Sequence, residues 1–137
     1  MPTTKRWHDK RIWTNGSFDI LHRGHLELLN ECHNLGNFVI VGIDSDRRIK
    51  EKKGDGRPFN NQEDRRYFLS QLRVVDYVVV FDTDEELASF VRDYNVDIMV
   101  IGSDWKGKPI IGSEHAGEVL YFDRIEGYST TKILEKK

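Results

Sequence analysis

Short apolar runs alternate with amphipathic segments along this chain, and that alternation limits the fold more than any other feature of its 137 residues. Ile12 and Trp13 lead into Thr14-Asn15-Gly16, a strand ending in a turn. Leu26, Leu29 and Cys32, backed by Leu28 and Leu35, predict a helix that begins at or near Gly24 and stops at Gly36-Asn37. Phe38 to Ile43 is apolar on both faces, as in a strand covered by helices on both sides. Arg47 to Pro58, first basic and then glycine-rich, predicts a mobile loop. Asn60 or Asn61 caps a helix running to about Leu72, with Phe68, Leu69 and Leu72 inward. A third strand follows at Tyr77 to Phe81, then a helix over Asp84 to Tyr94 carried by Leu87, Ala88, Val91 and Tyr94. Ile98 to Ile101 is a fourth strand, Glu118 to Phe122 a fifth, and Ser129 caps a last short helix. Strand alternating with helix predicts a single α/β domain over residues 1–137, a doubly wound, Rossmann-like parallel sheet of about five strands.

Composition removes several classes of function. Lys and Arg total 21 and Asp and Glu total 23, a formal charge of −2 that argues against a nucleic-acid or membrane-surface partner. No apolar run approaches the ~20 residues of a membrane-spanning helix, and Met1 to Lys10 has no apolar signal region. A single cysteine, Cys32, cannot form an internal disulfide, which favours a cytoplasmic setting.

In a doubly wound sheet, ligands bind beyond the carboxyl ends of the strands, and the unusual residues collect there. Between Thr14 and His25 a strand enters a Gly16-Ser17 turn and a helix begins, so backbone N–H groups make a phosphate cradle. His22 and His25 project to the same side of that helix entrance. Two imidazoles beside such a cradle can stabilise charge that builds in a transition state. An H-x-x-H pair could also be half of a zinc site, but Cys32 and His33 lie too far along the helix to close a compact tetrahedron easily.

His22-Arg23-Gly24-His25, following Gly16-Ser17-Phe18-Asp19, resembles the H-x-G-H signature of the cytidylyltransferase-like nucleotidyltransferase superfamily. Arg124-Ile125-Glu126-Gly127-Tyr128-Ser129-Thr130-Thr131-Lys132-Ile133 resembles the superfamily's second element, R-x-x-G-x-S-T-T-K-I. The likeness runs from about Arg11 to Leu134. Enzymes of this kind join a nucleoside triphosphate to a phosphorylated acceptor and release pyrophosphate. A phosphate monoester is already anionic near neutral pH, so the chemistry reduces to positioning and charge stabilisation by His, Lys, Arg and helix N-termini. The chain supplies that kit.

The resemblance implies catalytic roles for His22, His25, one lysine of the basic stretch and Arg73. That stretch, Arg47 to Arg57, holds six cations in eleven residues. It reads either as a solvated loop or as a flap closing over phosphates with Lys50, Lys52 or, preferred, Lys53. Nucleotide contacts are expected from Asn15, Gly16, Ser17, Phe18, Asp19 and Gly24 at the turn, and from Arg65, Gly102, Asp104, Arg124, Ser129 and Thr130. Asp104 suits base or ribose hydrogen bonds, and Trp105 offers either an aromatic face or a cover for the sheet edge. Mg²⁺ would enter with the triphosphate, no protein metal ligands are expected, and a homodimer is implied.

The acceptor signals are mixed. Gly54-Asp55-Gly56-Arg57-Pro58, Val75-Asp76-Tyr77 and Ile110-Ile111-Gly112-Ser113 look like the adenylyltransferase domain of ADP-heptose synthases, which would make ATP and a sugar 1-phosphate the substrates. Ser17 and Trp105 depart from that pattern, which has Cys and Tyr there. Gly102-Ser103-Asp104-Trp105-Lys106-Gly107-Lys108 is closer to glycerol-3-phosphate cytidylyltransferase, with CTP and a polyol phosphate. With no sugar-kinase segment in view, a stand-alone transferase is expected. A non-catalytic nucleotide-binding module is the reading from another class.

Overall fold

The computed structural model describes residues 9–123. Five parallel strands form one sheet in the order β3-β2-β1-β4-β5. They are β1 (Arg11–Gly16), β2 (Phe38–Asp44), β3 (Tyr77–Phe81), β4 (Ile98–Gly102) and β5 (Glu118–Phe122). Helices α1 (Arg23–Leu35), α2 (Asp46–Lys53), α3 (Gln62–Ser70) and α4 (Asp84–Asp93) connect them. The expected Rossmann-like architecture is therefore present, and the fifth strand has the bounds the sequence implies.

Two apolar layers hold the sheet. On one face Leu29 and Cys32 of α1 and Leu69 of α3 pack on Ile12, Val39, Val41 and Val100; on the other, Leu87 and Val91 of α4 pack on Trp13, Ile40 and Met99. Trp13 is fully buried, and its indole N–H donates to Asn15 Oδ1 at 2.9 Å. It lies against Gly42, where a Cβ would come within 2.5 Å of the indole, so only glycine leaves room for the ring on the neighbouring strand.

The strand order creates the opening that matters. β1 pairs with β2 over six positions but with β4 only at Ile12↔Ile98 and Trp13↔Met99. Thr14 Oγ1 then donates to the Val100 carbonyl at 2.8 Å, a last side-chain tie between the two strands. Beyond it Asn15, Gly16, Ile101 and Gly102 border a cavity. This is where the chain's winding direction reverses, the position at which open α/β sheets bind ligands.

Three expectations need correction. The basic stretch is not a mobile loop through its length: Asp46–Lys53 is helical. Ser45 caps it by accepting from Arg48 N–H, Asp46 opens it, and Lys50, Lys52 and Lys53 sit at its negative end. Phe68 is not inward but 43% exposed, because the inward face of α3 is taken by Arg65 and Leu69, one turn apart. Leu26 is likewise exposed, while Leu29 and Cys32 carry the buried stripe of α1.

Candidate active site

The cavity at the switch point has a volume of about 640 Å³. Its centre is the start of α1. His22 is the N-cap residue, and the two histidines form a reciprocal capping box. His22 Nδ1 accepts from the His25 N–H at 3.4 Å, and His25 Nδ1 accepts from the His22 N–H at 3.3 Å. The rings stack with centroids 3.8 Å apart and an interplanar angle of 19°. A nitrogen that accepts cannot carry the proton, so in the neutral ring the proton sits on Nε2. Desolvation first, and the neighbouring His22 second, push the pKa of His25 down to about 4. At neutral pH, His25 is thus an uncharged N–H donor. Both rings line the cavity, beside Asn15, Gly16, Ser17 and Gly24.

Phe18 closes the turn from behind. It adopts φ 49°, a left-handed conformation that side chains seldom occupy. Its ring is buried and lies 4.9 Å from that of His25. Phe18 therefore supports the pair from the core rather than lining the cavity.

Asp19, 1% exposed, also faces away from the cavity. Its carboxylate accepts from the backbone N–H of Phe59 and of Asn60, each at 2.8 Å, and from Arg57 Nε at 3.3 Å. Asn60 Nδ2 returns a bond to the Asp19 carbonyl. Asp19 thus departs from the expected nucleotide contact: it ties the turn to the segment ahead of α3.

Arg65 departs from the expected nucleotide contact. It is 0% exposed and donates to the carbonyls of Ser17, Asp44 and Asn60 and to the Asp46 carboxylate, at 2.7–2.9 Å. With its donors committed to these four groups, it braces the first two strand ends against α2 and α3. Arg73 departs more: it is exposed and precedes β3, at the amino edge of a parallel sheet whose cavity opens at the carboxyl edge. The structure does not bring it to the cavity of its own chain. Arg124, Ser129 and Thr130 lie outside the described residues.

Flanking the histidines on the β2 side are Asp44, Arg48, Lys52, Lys53 and Arg57, of which Lys52 and Lys53 were candidates from the sequence. Arg48 bonds Asp44 at 2.8 Å and Asp84 at 2.7 Å, and its guanidinium lies 5.1 Å from the centre of the Phe81 ring. The Lys53 ammonium is held below the usual lysine range, chiefly by desolvation and then by Arg57. On the β4 side, Gly102, Asp104 and Trp105 line the cavity as expected. Trp105 stays 50% exposed, with the Lys108 ammonium 5.5 Å from its ring centre. Among the described residues no group of three or more His, Cys, Asp or Glu side chains could hold a metal ion.

The cytidylyltransferase-like family matches residues 13–136, a span that contains both sequence motifs. This chain belongs to that family of nucleotidyltransferases. Its relatives include the Bifunctional protein HldE of a Nitratiruptor species, 50% identical over 127 residues, or 91% of this chain and 27% of the relative. The Bifunctional protein HldE of Helicobacter pylori strain J99 is 43% identical over 136 residues, covering 99% of this chain and 29% of the relative. The chain thus spans little more than a quarter of these relatives' length. Among solved structures, the lipopolysaccharide core biosynthesis protein from Thermoplasma volcanium superposes with a TM-score of 0.67 at 27% identity, covering 88% of this chain and 98% of that one. The cytidylyltransferase-like fold is therefore shared over nearly all of both chains.

Proposed function

We propose that this nucleotidyltransferase moves the adenylyl group of ATP onto a sugar 1-phosphate of the heptose type and releases pyrophosphate. The observation that carries the reading is the pair of capping histidines at the switch-point cavity. Their Nδ1 atoms hold the helix start, so Nε2–H donors and backbone N–H groups converge where a triphosphate would lie. An oxygen of the sugar phosphate attacks the α-phosphorus of ATP. One P–O bond forms, the bond to the bridging oxygen breaks, and pyrophosphate leaves with that electron pair. Neither bond change needs a proton from the protein. His22 and His25 stabilise charge on the phosphates as it shifts. Lys53 adds a cation on the β2 side, while Asp104 and Trp105 face the nucleoside on the β4 side. Arg124, Ser129 and Thr130 complete the triphosphate contacts. Mg²⁺ comes with the triphosphate as part of the substrate, its charge offset by phosphate oxygens.

The identity to relatives named HldE supports the sugar-phosphate acceptor. The Gly102-Ser103-Asp104-Trp105 segment favours a second reading, CTP with glycerol 3-phosphate. Pyrophosphate release measured with each NTP against heptose 1-phosphate and glycerol 3-phosphate decides between them. Turnover of ATP with heptose 1-phosphate is expected, and it should stop in excess chelator. Silence with every pair would leave a nucleotide-binding module that has lost catalysis. A cytoplasmic homodimer is part of the proposal. No helix among the described residues is long and apolar enough to cross a membrane.

A further inference from the structure

The β2 side of the cavity carries a cation whose hydrogen bonding is incomplete. Arg57 lines the cavity, and its side chain is 17% exposed. Its Nε is fixed by Asp19 at 3.3 Å, but Nη2 is buried with no hydrogen-bond partner among the described residues. A buried guanidinium N–H without an acceptor is costly, and native sites keep such a group where a ligand completes it. The other basic groups of this wall, Arg48, Lys52 and Lys53, differ. Arg48 is committed to Asp44 and Asp84. Lys53 makes no ion pair among the described residues, and its ammonium is already partly desolvated. Lys52 likewise makes no ion pair among the described residues, and Arg57 is held by Asp19 through Nε, which leaves Nη2 without an acceptor.

We propose that Arg57, oriented by Asp19, binds the phosphate of the acceptor rather than the triphosphate. This rests on the nucleotidyl-transfer reading above and adds the side from which attack comes. β1 lies between β2 and β4 in the sheet. The histidines stand at the end of β1, with the Asp104–Trp105 turn beyond β4 and Arg57 in the connection after β2. A nucleoside on the β4 side and an α-phosphate at the histidines leave the β2 side for the incoming phosphate. In-line displacement needs the attacking oxygen opposite the leaving pyrophosphate, so an acceptor on the β2 side sends the pyrophosphate away from Arg57. An arginine fork suits the task, because one edge is held by a carboxylate while the other meets phosphate oxygens.

The test is steady-state kinetics of the full chain with ATP and heptose 1-phosphate, for wild type, Arg57→Gln and Arg57→Lys. Arg57→Gln should raise the KM for the sugar phosphate by about 10- to 150-fold, the worth of a hydrogen bond to a charged group. The KM for ATP should stay within about twofold. Arg57→Lys should fall between, since an ammonium cannot bond Asp19 and reach the phosphate together. A raised KM for ATP with an unchanged KM for sugar phosphate overturns the assignment. Binding of inorganic phosphate, followed by shifts of backbone amide resonances, separates this inference from the function on which it rests. Wild type that turns over no ATP with heptose 1-phosphate refutes that acceptor. Wild type that binds phosphate no better than Arg57→Gln refutes the Arg57 site, whatever the acceptor.

Discussion

The two flanks of the cavity are built differently. On the β2 side every turn is tied by charged side chains: Arg65 to four acceptors, Arg48 to two carboxylates, Asp19 to the Arg57–Asn60 segment, and Arg47 with Ser45 to Asp82. On the β4 side the connection from Ser103 to Ser113 is held mainly by short backbone turns, such as Lys106 N–H to the Ser103 carbonyl and Lys108 N–H to the Trp105 carbonyl. Its aromatic and cationic side chains are largely exposed and meet by cation–π contact. The first flank is assembled before any ligand arrives. The second exposes at the cavity an aromatic ring with a cation beside it.

The strongest way to break this comparison is to remove Arg65. Arg65→Met should cost about 3–5 kcal/mol, the loss expected when one partner of a buried ion pair is deleted. Chemical denaturation would show it, and a loss below about 1 kcal/mol would mean that the β2 flank is not held as described.

Next come the histidines. His22→Ala or His25→Ala should lower kcat by about 10²–10³. Each change also removes half of the capping box, so a stability loss of about 0.5–2 kcal/mol should accompany it. Wild-type turnover in either variant would make the pair a helix cap and nothing more.

Acid sharpens the same point. His25 titrates at about 4 in the folded chain against 6.5 when unconstrained. Between those values the unfolded chain binds more protons. This contribution to stability is complete above pH 6.5 and is lost as the pH falls toward about 4. His25→Gln should flatten that part of the stability profile. An imidazole signal of His25 titrating near 6.5 by NMR would contradict the desolvated, neutral ring.

The smallest stability effect belongs to the β4 flank. Trp105→Ala should change stability by no more than about 0.5 kcal/mol, as for a surface site, yet weaken nucleotide binding by about 1–3 kcal/mol if the ring stacks on the base. A larger stability loss would show that Trp105 covers the sheet edge instead.

Much of this was legible in the sequence, for identifiable reasons. β2 and β4 are continuous apolar runs, and the Gly16-to-His25 motif marks the centre of the site. Hydropathy misses charged side chains that are structural. Arg65 occupies a core-facing helical position, so the apolar Phe68 beside it looked inward and was not. α2 has Ile49 as its only large apolar residue, and its order comes from Arg48 and from the Ser45 cap, not from an apolar stripe. The signal was there in Ser45-Asp46 ahead of lysines, a helix start followed by a basic end. Arg57 leaves no comparable trace, since its importance comes from Asp19, which is distant in sequence.

Trp13 carries a practical consequence. Its indole, sealed in the core against Gly42, touches the outside world through one hydrogen bond, to an asparagine on the cavity wall. A ligand that draws Asn15 toward itself must loosen that bond, changing the environment of a fluorophore shielded from solvent. In a chain whose other two tryptophans, Trp7 and Trp105, are replaced by Phe, this indole would become an optical reporter of occupancy at the floor of the cavity. Its emission would reveal whether nucleotide has reached the strand ends or merely rests at the rim.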